Sequence, residues 1–337
     1  MIEKIKKELK SFTAPNSITV ATVGMTSRDS APFTVLPRRK TLGFETINFL
    51  ISNIHSAEKC LNFLDGKVKY ILIDVESKKN VDLESIAKKT IKSSIVKSYK
   101  PNDATVEAAD LYMLNYFKDF LKDKKILIYG AGNIAGKLAL RLAERGAEIY
   151  IYSRDKNKVS LLVNALNLIL PRYSLNRIKQ LQNFEEMSDF FDAIISFISS
   201  EQVINHNIIQ SLKENALVLD GGINNFTHEF YKNSSKKRLN SFRLDVRLGF
   251  LYSLIPLMDY TEKFFREVQG KSSIEEIKLV SGGIIGNEGD IIVDSIKSPT
   301  QVIGIANGLG GTKEIGKYNL TDIKNLEMVQ KYISEKK

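Results

Sequence analysis

The chain has 337 residues, of which 43% are hydrophobic and 26% charged, with a formal net charge of +10; that length suits two domains of ordinary size, and no apolar run is long enough to cross a bilayer, so no membrane association is expected. A single cysteine, Cys60, rules out an intramolecular disulfide, and the opening MIEKIKKELKSF is amphipathic and charged rather than a signal peptide, so a cytoplasmic protein is expected. The three histidines (His55, His206, His228) have no metal-ligand spacing, and the lysines are spread along the chain without a basic, aromatic-interleaved stripe, so neither a metal nor a nucleic acid is expected as a partner.

In chain order, Ile2, Ile5 and Leu9 are spaced for one face of a first helix over residues 1–14, ended by Pro15. Ser17–Val23 reads as a strand, the stretch with Arg28, Pro32, Pro37, Arg38, Arg39 and Lys40 as a loop, and Phe44–Leu64 as partly helical through Phe49, Ile54 and Cys60. Val68–Val75 is a buried strand, Val81–Lys89 a short helix and Ser93–Tyr99 a further strand. Thr105–Leu121 is a long helix leading into the next strand. Strands alternating with helices predict a small α/β domain over residues 1–121. Two of its strand ends carry ionisable groups, Lys78 and Lys79 after one and Asp103 after the other. In open α/β sheets ligands sit beyond the carboxyl ends of the strands, so a lysine and a carboxylate there suit catalysis; the plainer roles are solvated turns and, for Asp103, a helix N-cap.

Lys124–Asp155 reads as strand, glycine-rich turn, amphipathic helix and second strand. Gly130 permits the tight turn out of Ile126–Tyr129, and Gly132 lets backbone N–H groups of the turn Gly130-Ala131-Gly132-Asn133-Ile134 approach a pyrophosphate at the helix N-terminus. Ala135, with Gly136 beside it, is small enough for close helix–strand packing. This strand–turn–helix context marks a dinucleotide site and a Rossmann domain over residues 122–246. At the end of the second strand, where NAD sites place a carboxylate, stand Ser153 and Arg154. A hydroxyl and a guanidinium suit a 2′-phosphate, so NADP is the expected cofactor, with NAD as the alternative through Asp155.

Lys158–Leu170 is helical up to Pro171. Asp192–Ile198 is a buried strand ending in Ser199-Ser200, which suit a nicotinamide ribose or carboxamide, or alternatively cap the next helix. Ala216–Leu219 is the following strand, and Gly221 and Gly222 after it let backbone approach the nicotinamide or form a simple turn. Phe242–Val246 is read as one more strand and Leu254–Val268 as a helix. Residues 278–308, rich in glycine between β-branched runs, read as a β-ribbon, an arm for homodimerisation or for covering substrate. Gly308-Leu309-Gly310-Gly311 lacks phosphate-loop context and reads as a turn.

The order of parts resembles the shikimate dehydrogenase family and its relatives, the methylenetetrahydrofolate dehydrogenases. In these a small α/β domain precedes a Rossmann domain, and a C-terminal helix packs back on the first domain. Asp74-Val75-Glu76-Ser77-Lys78 stands where the family has its catalytic lysine, and Pro101-Asn102-Asp103-Ala104-Thr105 where it has Asn-Thr-Asp-Gly. The resemblance implies Lys78 and Asp103 as the catalytic pair and Asn102 as a substrate hydrogen-bonder. Asp220-Gly221-Gly222-Ile223-Asn224 is similar to the Asp-Val-Gly-Ile-Asn of the methylenetetrahydrofolate dehydrogenases. The chain departs from the shikimate pattern in lacking a threonine-proline context at the lysine, an intact Asn-Thr-Asp-Gly and paired N-terminal serines, which implies a divergent substrate. The expectation is an α/β protein with domains at 1–121 and 122–246 and a helix-and-ribbon extension at 247–337 packing back on the first. Its function would be NADP-dependent hydride transfer on a small polar alcohol or carbonyl compound. The alternatives are C=N oxidoreduction and a non-catalytic NADP-binding regulator.

Overall fold

The computed structural model describes residues 1–12, 17–26 and 32–336; Pro15 and Arg28 lie outside the described residues. The chain forms two compact units, Met1–Ser253 and Leu254–Lys337.

The first unit opens with α1 (Ile2–Leu9), β1 (Ile18–Met25), β2 (Phe33–Thr41), β3 (Phe44–Ile51), α2 (Ile54–Leu64), β4 (Tyr70–Asp74), α3 (Leu83–Thr90) and β5 (Ile95–Tyr99). The sheet order is β2-β3-β1-β4-β5, with β2 antiparallel to β3 and the other pairs parallel. Ala21, Val23, Ile47, Phe49, Ile71 and Ile73 turn to one face, where they pack with Ala57, Cys60, Leu61 and Leu64 of α2 and with Leu83 and Ala87 of α3. Period-two geometry sends Thr22 and Gly24 to the other face.

Two readings of the sequence are corrected here. The helical part of Phe44–Leu64 is confined to Ile54–Leu64 and does not include Phe49: FETINFLI is the strand β3, buried at every position but Leu50, and only after Asn53, whose side chain caps the Ser56 N–H, does α2 begin. A strand covered on both faces shows no alternation, so its apolar spacing imitates a helix. The charged stretch around Arg39 is the edge strand β2, not a loop. Its register slips between Leu36 and Arg39, a bulge that holds Pro37, in keeping with the confinement of strand prolines to edges and bulges.

The unit continues with α4 (Pro101–Tyr116), β6 (Lys125–Tyr129), α5 (Asn133–Glu144), β7 (Glu148–Tyr152), α6 (Lys156–Ile169), β8 (Lys179–Gln180), β9 (Phe191–Ser196), β10 (Leu212–Asp220), α7 (His228–Ser234), β11 (Asn240–Arg243) and α8 (Arg247–Phe250). These six strands are all parallel, in the order β8-β7-β6-β9-β10-β11. Numbered within the sheet that is 3-2-1-4-5-6, the doubly wound dinucleotide-binding order, with its switch point between β6 and β9. The strands are near-continuous apolar runs because helices cover both faces.

In the second unit α9 (Asp259–Lys263) is followed by β12 (Gly270–Ile274), β13 (Ile277–Ser281), β14 (Ile291–Val293), β15 (Val302–Ile305) and α10 (Leu320–Glu335). The expected single helix over Leu254–Val268 is broken into a 3-10 turn at Ile255–Leu257, which contains Pro256, then α9 and a π turn at Phe264–Val268. The glycine-rich segment belongs to a four-stranded sheet, β12-β13-β14-β15, in which β13 and β14 are parallel. Gly282 and Gly283, at φ of +63° and +81°, start the loop that brings the chain back for this parallel pairing. Ile277, Leu279, Ile291, Val293 and Ile305 pack with Val329 and Ile333 of α10, which starts in a capping box between Asn319 and Asp322.

Candidate active site

A cleft of about 740 Å³ opens at the carboxyl ends of the strands of the first unit. Every residue predicted for the site except Asp103 lines it.

The glycine turn forms its floor. Gly130 has φ of +135°, and a Cβ there would stand 2.5 Å from the Phe197 carbonyl oxygen, so this position requires glycine for the turn and for packing against the end of β9. Gly132 differs: a Cβ on it would meet nothing within 4 Å. It is the N-cap of α5 and has no side chain to cover the first helical N–H groups, which are left to a ligand. Ala131, Asn133 and Ile134 complete the turn, and the buried Ala135 seats the helix against the sheet.

Ser153 and Arg154 follow β7 into the cleft, and Lys158, four residues after Arg154, joins them from the first turn of α6. Asp155 also lines the cleft, but its carboxylate caps α6 by accepting the Lys158 N–H at 3.0 Å. That commitment leaves this corner dominated by cations, which suits a phosphate better than a ribose diol. Tyr129 closes the same end, its ring 5.0 Å from that of Tyr152. Burial first, and then Tyr152, push its hydroxyl above the ordinary tyrosine range.

Across the switch point, Ser199, Gly221 and Gly222 meet. The alternative role of Ser199 and Ser200 as helix caps is not realised: the next helical turn, His206–Ser211, is capped by Asn205. A Cβ on Gly221 would come within 2.4 Å of the Phe197 ring, and one on Gly222 within 2.1 Å of Asn225 Oδ1. Internal packing therefore demands both glycines. Asn225 donates to the carbonyls of Ile198 (3.0 Å) and Ser200 (2.9 Å), while Asp220 accepts from Ser196 Oγ, Gly222 N and Asn225 N. These bonds fix the loops after β9 and β10 to each other.

The ends of β1, β4 and β5 form the opposite wall, with Thr26, Lys78 and Asn102. A carboxylate network holds them together. Asp74, 5% exposed, accepts the Met25 N–H at 3.0 Å, the Glu76 N–H at 2.9 Å and Lys78 Nζ at 3.0 Å. Glu76 accepts the Asn102 N–H at 2.7 Å and lies 3.2 Å from Lys78 Nζ. Lys78 is thus held at the cleft by two carboxylates of its own strand end, which orient it.

The expected Lys78–Asp103 pair does not form. Asp103 lies in the first turn of α4, which begins at Pro101 and not at Thr105, and its N-cap is Lys100. Its carboxylate pairs with Lys100 at 2.6 Å and with Lys137 of α5. It opens a row of pairs between the two helices, continued by Glu107 with Arg141 and by Asp110 with Arg145. Burial raises the Asp103 pKa, but the hydrogen bonds from the two lysines outweigh it and hold the carboxyl below its ordinary range. Proline at the first helical position was the signal that α4 starts here. Lys79 is not among the cleft residues, whereas Thr26, Tyr129, Lys158 and Phe197 line it without having been expected. Of these only Lys158 had a sequence signal, a cation one helical turn after Arg154.

Residues 114–220, from the end of α4 to the end of β10, match the family model of shikimate / quinate 5-dehydrogenase. Among solved structures, a shikimate dehydrogenase in complex with NADP+ is 15% identical over 73% of this chain and 91% of its own, with a TM-score of 0.46. The shikimate dehydrogenase of Aquifex aeolicus is 16% identical over 72% and 94%, with a TM-score of 0.44. The ornithine carbamoyltransferase of Pyrococcus furiosus is 14% identical over 76% and 91%, with a TM-score of 0.43. Likenesses at this level carry no functional argument. No curated protein matches the chain in sequence.

Proposed function

We propose that this chain, a divergent relative of the shikimate dehydrogenases, is an NADP-dependent oxidoreductase acting on a small polar alcohol or carbonyl compound. The supporting observation is that one cleft gathers the open helix N-terminus at Gly132, the Arg154–Lys158 corner and the carboxylate-held Lys78. The residues present fit NADP on their own chemistry: Gly132 leaves space where a pyrophosphate would approach, and two cations face the position of a 2′-phosphate.

When bound, the nicotinamide supplies or accepts the hydride. The work of the protein is to bind, orient and balance charge. Residues 1–121 would present the substrate and residues 122–246 the dinucleotide. Lys78 donates a hydrogen bond to the substrate oxygen, stabilising it as an alkoxide or passing it a proton. Asp74 and Glu76, in the position expected of Asp103, orient that ammonium. Asn102, whose backbone is pinned by Glu76, supplies a polar side chain beside it.

The test is NADPH fluorescence with a panel of cyclic polyols, keto acids and imines. Consumption with a carbonyl or alcohol compound supports the proposal. Consumption only with imines would instead indicate C=N chemistry, and saturable binding without consumption across the panel would indicate a regulator.

A further inference from the structure

Tyr129 is the last residue of β6, directly before the glycine turn, and its side chain leaves the sheet on the face away from α5. Strand alternation puts Ile126 and Ile128 in the cluster that holds Leu138 of α5 and Val159 of α6, and Leu127 and Tyr129 in the cluster on the other face. Tyr129 is only 7% exposed, yet it lines the cleft. Its hydroxyl has no hydrogen-bond partner among the described residues and is not sealed from solvent, so it opens into the cleft. A buried tyrosine ordinarily finds a partner for its O–H.

The ring is held firmly although its hydroxyl is not. Tyr129 pairs in register with Tyr152 of β7, and the next ring along, Phe184, lies edge-on to Tyr152 at 5.2 Å. The Gly130 N–H donates to the Tyr152 carbonyl at 2.8 Å and the Phe197 N–H to the Tyr129 carbonyl at 2.9 Å, which ties this strand end to both neighbours. Lys156, the cation of this aromatic row, is occupied: its Nζ stands 3.9 Å from the Tyr152 ring centroid and donates to the Gln182 carbonyl at 2.6 Å.

Two features narrow what the free hydroxyl meets. Burial keeps Tyr129 a neutral phenol, and Arg154 is near enough to act on it, which sets the hydroxyl in the adenosine half of the cleft. Lys158, however, belongs to α6, on the opposite face of the sheet. The cations therefore address the 2′-phosphate, while Tyr129 offers an uncharged donor from the other side. Around it the cleft is apolar, through Val203 and through Ile198, which packs on the same cluster as Tyr129. A phosphate would leave such walls unused; a flat, neutral ring with lone-pair nitrogens matches both the walls and the donor.

We propose that Tyr129 is the adenine-recognising residue of the cleft, its hydroxyl donating to a purine nitrogen, an inference that rests on the dinucleotide site of the oxidoreductase reading. Titration of NADPH, NADH and adenosine 5′-monophosphate onto the full chain and onto Tyr129→Phe tests it, with melting temperatures measured alongside. Phenylalanine keeps the ring and removes an oxygen that bonds nothing in the protein, so the melting temperature is expected to hold. All three ligands are expected to weaken by the same factor, about fivefold, the worth of one neutral hydrogen bond. Unchanged affinity in the variant would overturn the proposal, and so would weakening of NADPH alone, which would give the hydroxyl to the 2′-phosphate. Hydroxyl-dependent binding of adenosine 5′-monophosphate by a chain that does not bind NADPH would support the adenine contact and reject the oxidoreductase reading alone. Binding of none of the three by the unaltered chain would overturn both.

Discussion

Lys78 Nζ stands 3.0 Å from Asp74 Oδ2, and the same carboxylate oxygen accepts the Met25 N–H from the end of β1 at 3.0 Å. One buried carboxylate thus ties the lysine to the neighbouring strand and sets where its ammonium points. Hydrogen bonds to a charged group of this kind each contribute about 1.5–3 kcal/mol.

Lys78→Met should therefore lower turnover by about 10²–10⁴-fold, the range of a positioned proton donor, while NADPH affinity stays within about twofold of the unaltered chain. Steady-state kinetics on the compound identified by the panel, beside an NADPH titration, measure the two effects separately. Turnover that survives the substitution would remove Lys78 from the mechanism.

Asp103→Asn should behave differently. Asp103 is 37% exposed at its side chain and serves the α4–α5 row of ion pairs, so its replacement should cost at most about 1 kcal/mol of stability and leave turnover unaltered. Its folded pKa lies below the unfolded value, so the native state binds fewer protons. The contribution is present above about pH 4, the unfolded carboxylate range, and is lost as pH falls through the depressed folded pKa. Urea midpoints of the two proteins should converge on acidification. A large loss of turnover at neutral pH would restore Asp103 to the catalytic pair.

Two glycines of the cleft should separate binding from stability. Gly132→Ala adds a Cβ that meets nothing within 4 Å, so thermal stability should hold while NADPH affinity falls as the methyl enters the approach of the phosphates. Gly222→Ala puts a Cβ 2.1 Å from Asn225 Oδ1 and 2.4 Å from the Ile198 carbonyl oxygen, and should cost about 1–3 kcal/mol through overpacking. Melting temperature and NADPH titration on both variants check the contrast.

Cys60 lies buried in α2, and burial pushes its thiol pKa up to about 12. It should resist thiol reagents in the native protein and react with one equivalent on unfolding, since the thiolate is the reactive form. Rapid labelling of the folded chain would contradict its placement in the core.

The dinucleotide half of the fold was legible because every local signal agreed: apolar parallel strands, glycines at the turn, an amphipathic helix and a cation after β7. The first sheet was harder. FETINFLI shows no alternation because both of its faces are covered, and the edge strand β2 hides behind a proline and three cations. The position of Lys78 followed from the rule that ligands gather at the carboxyl ends of strands. Its partners did not, because Asp74 and Glu76 lie so near it in the chain that they read as part of the strand and its turn. Asp103 sat at the right strand end, but Pro101 starts the helix early and turns its carboxylate to Lys137.

The proposed 2′-phosphate role of the corner formed by Arg154 and Lys158 is tested most directly by fluorescence titration of NADPH against NADH. We expect NADPH to bind at least tenfold tighter than NADH, and Arg154→Ala to remove most of that difference while leaving NADH affinity within about twofold, since the lost pair is worth roughly a factor of ten or more. Equal affinity for the two dinucleotides, or no saturable binding of either, would contradict it.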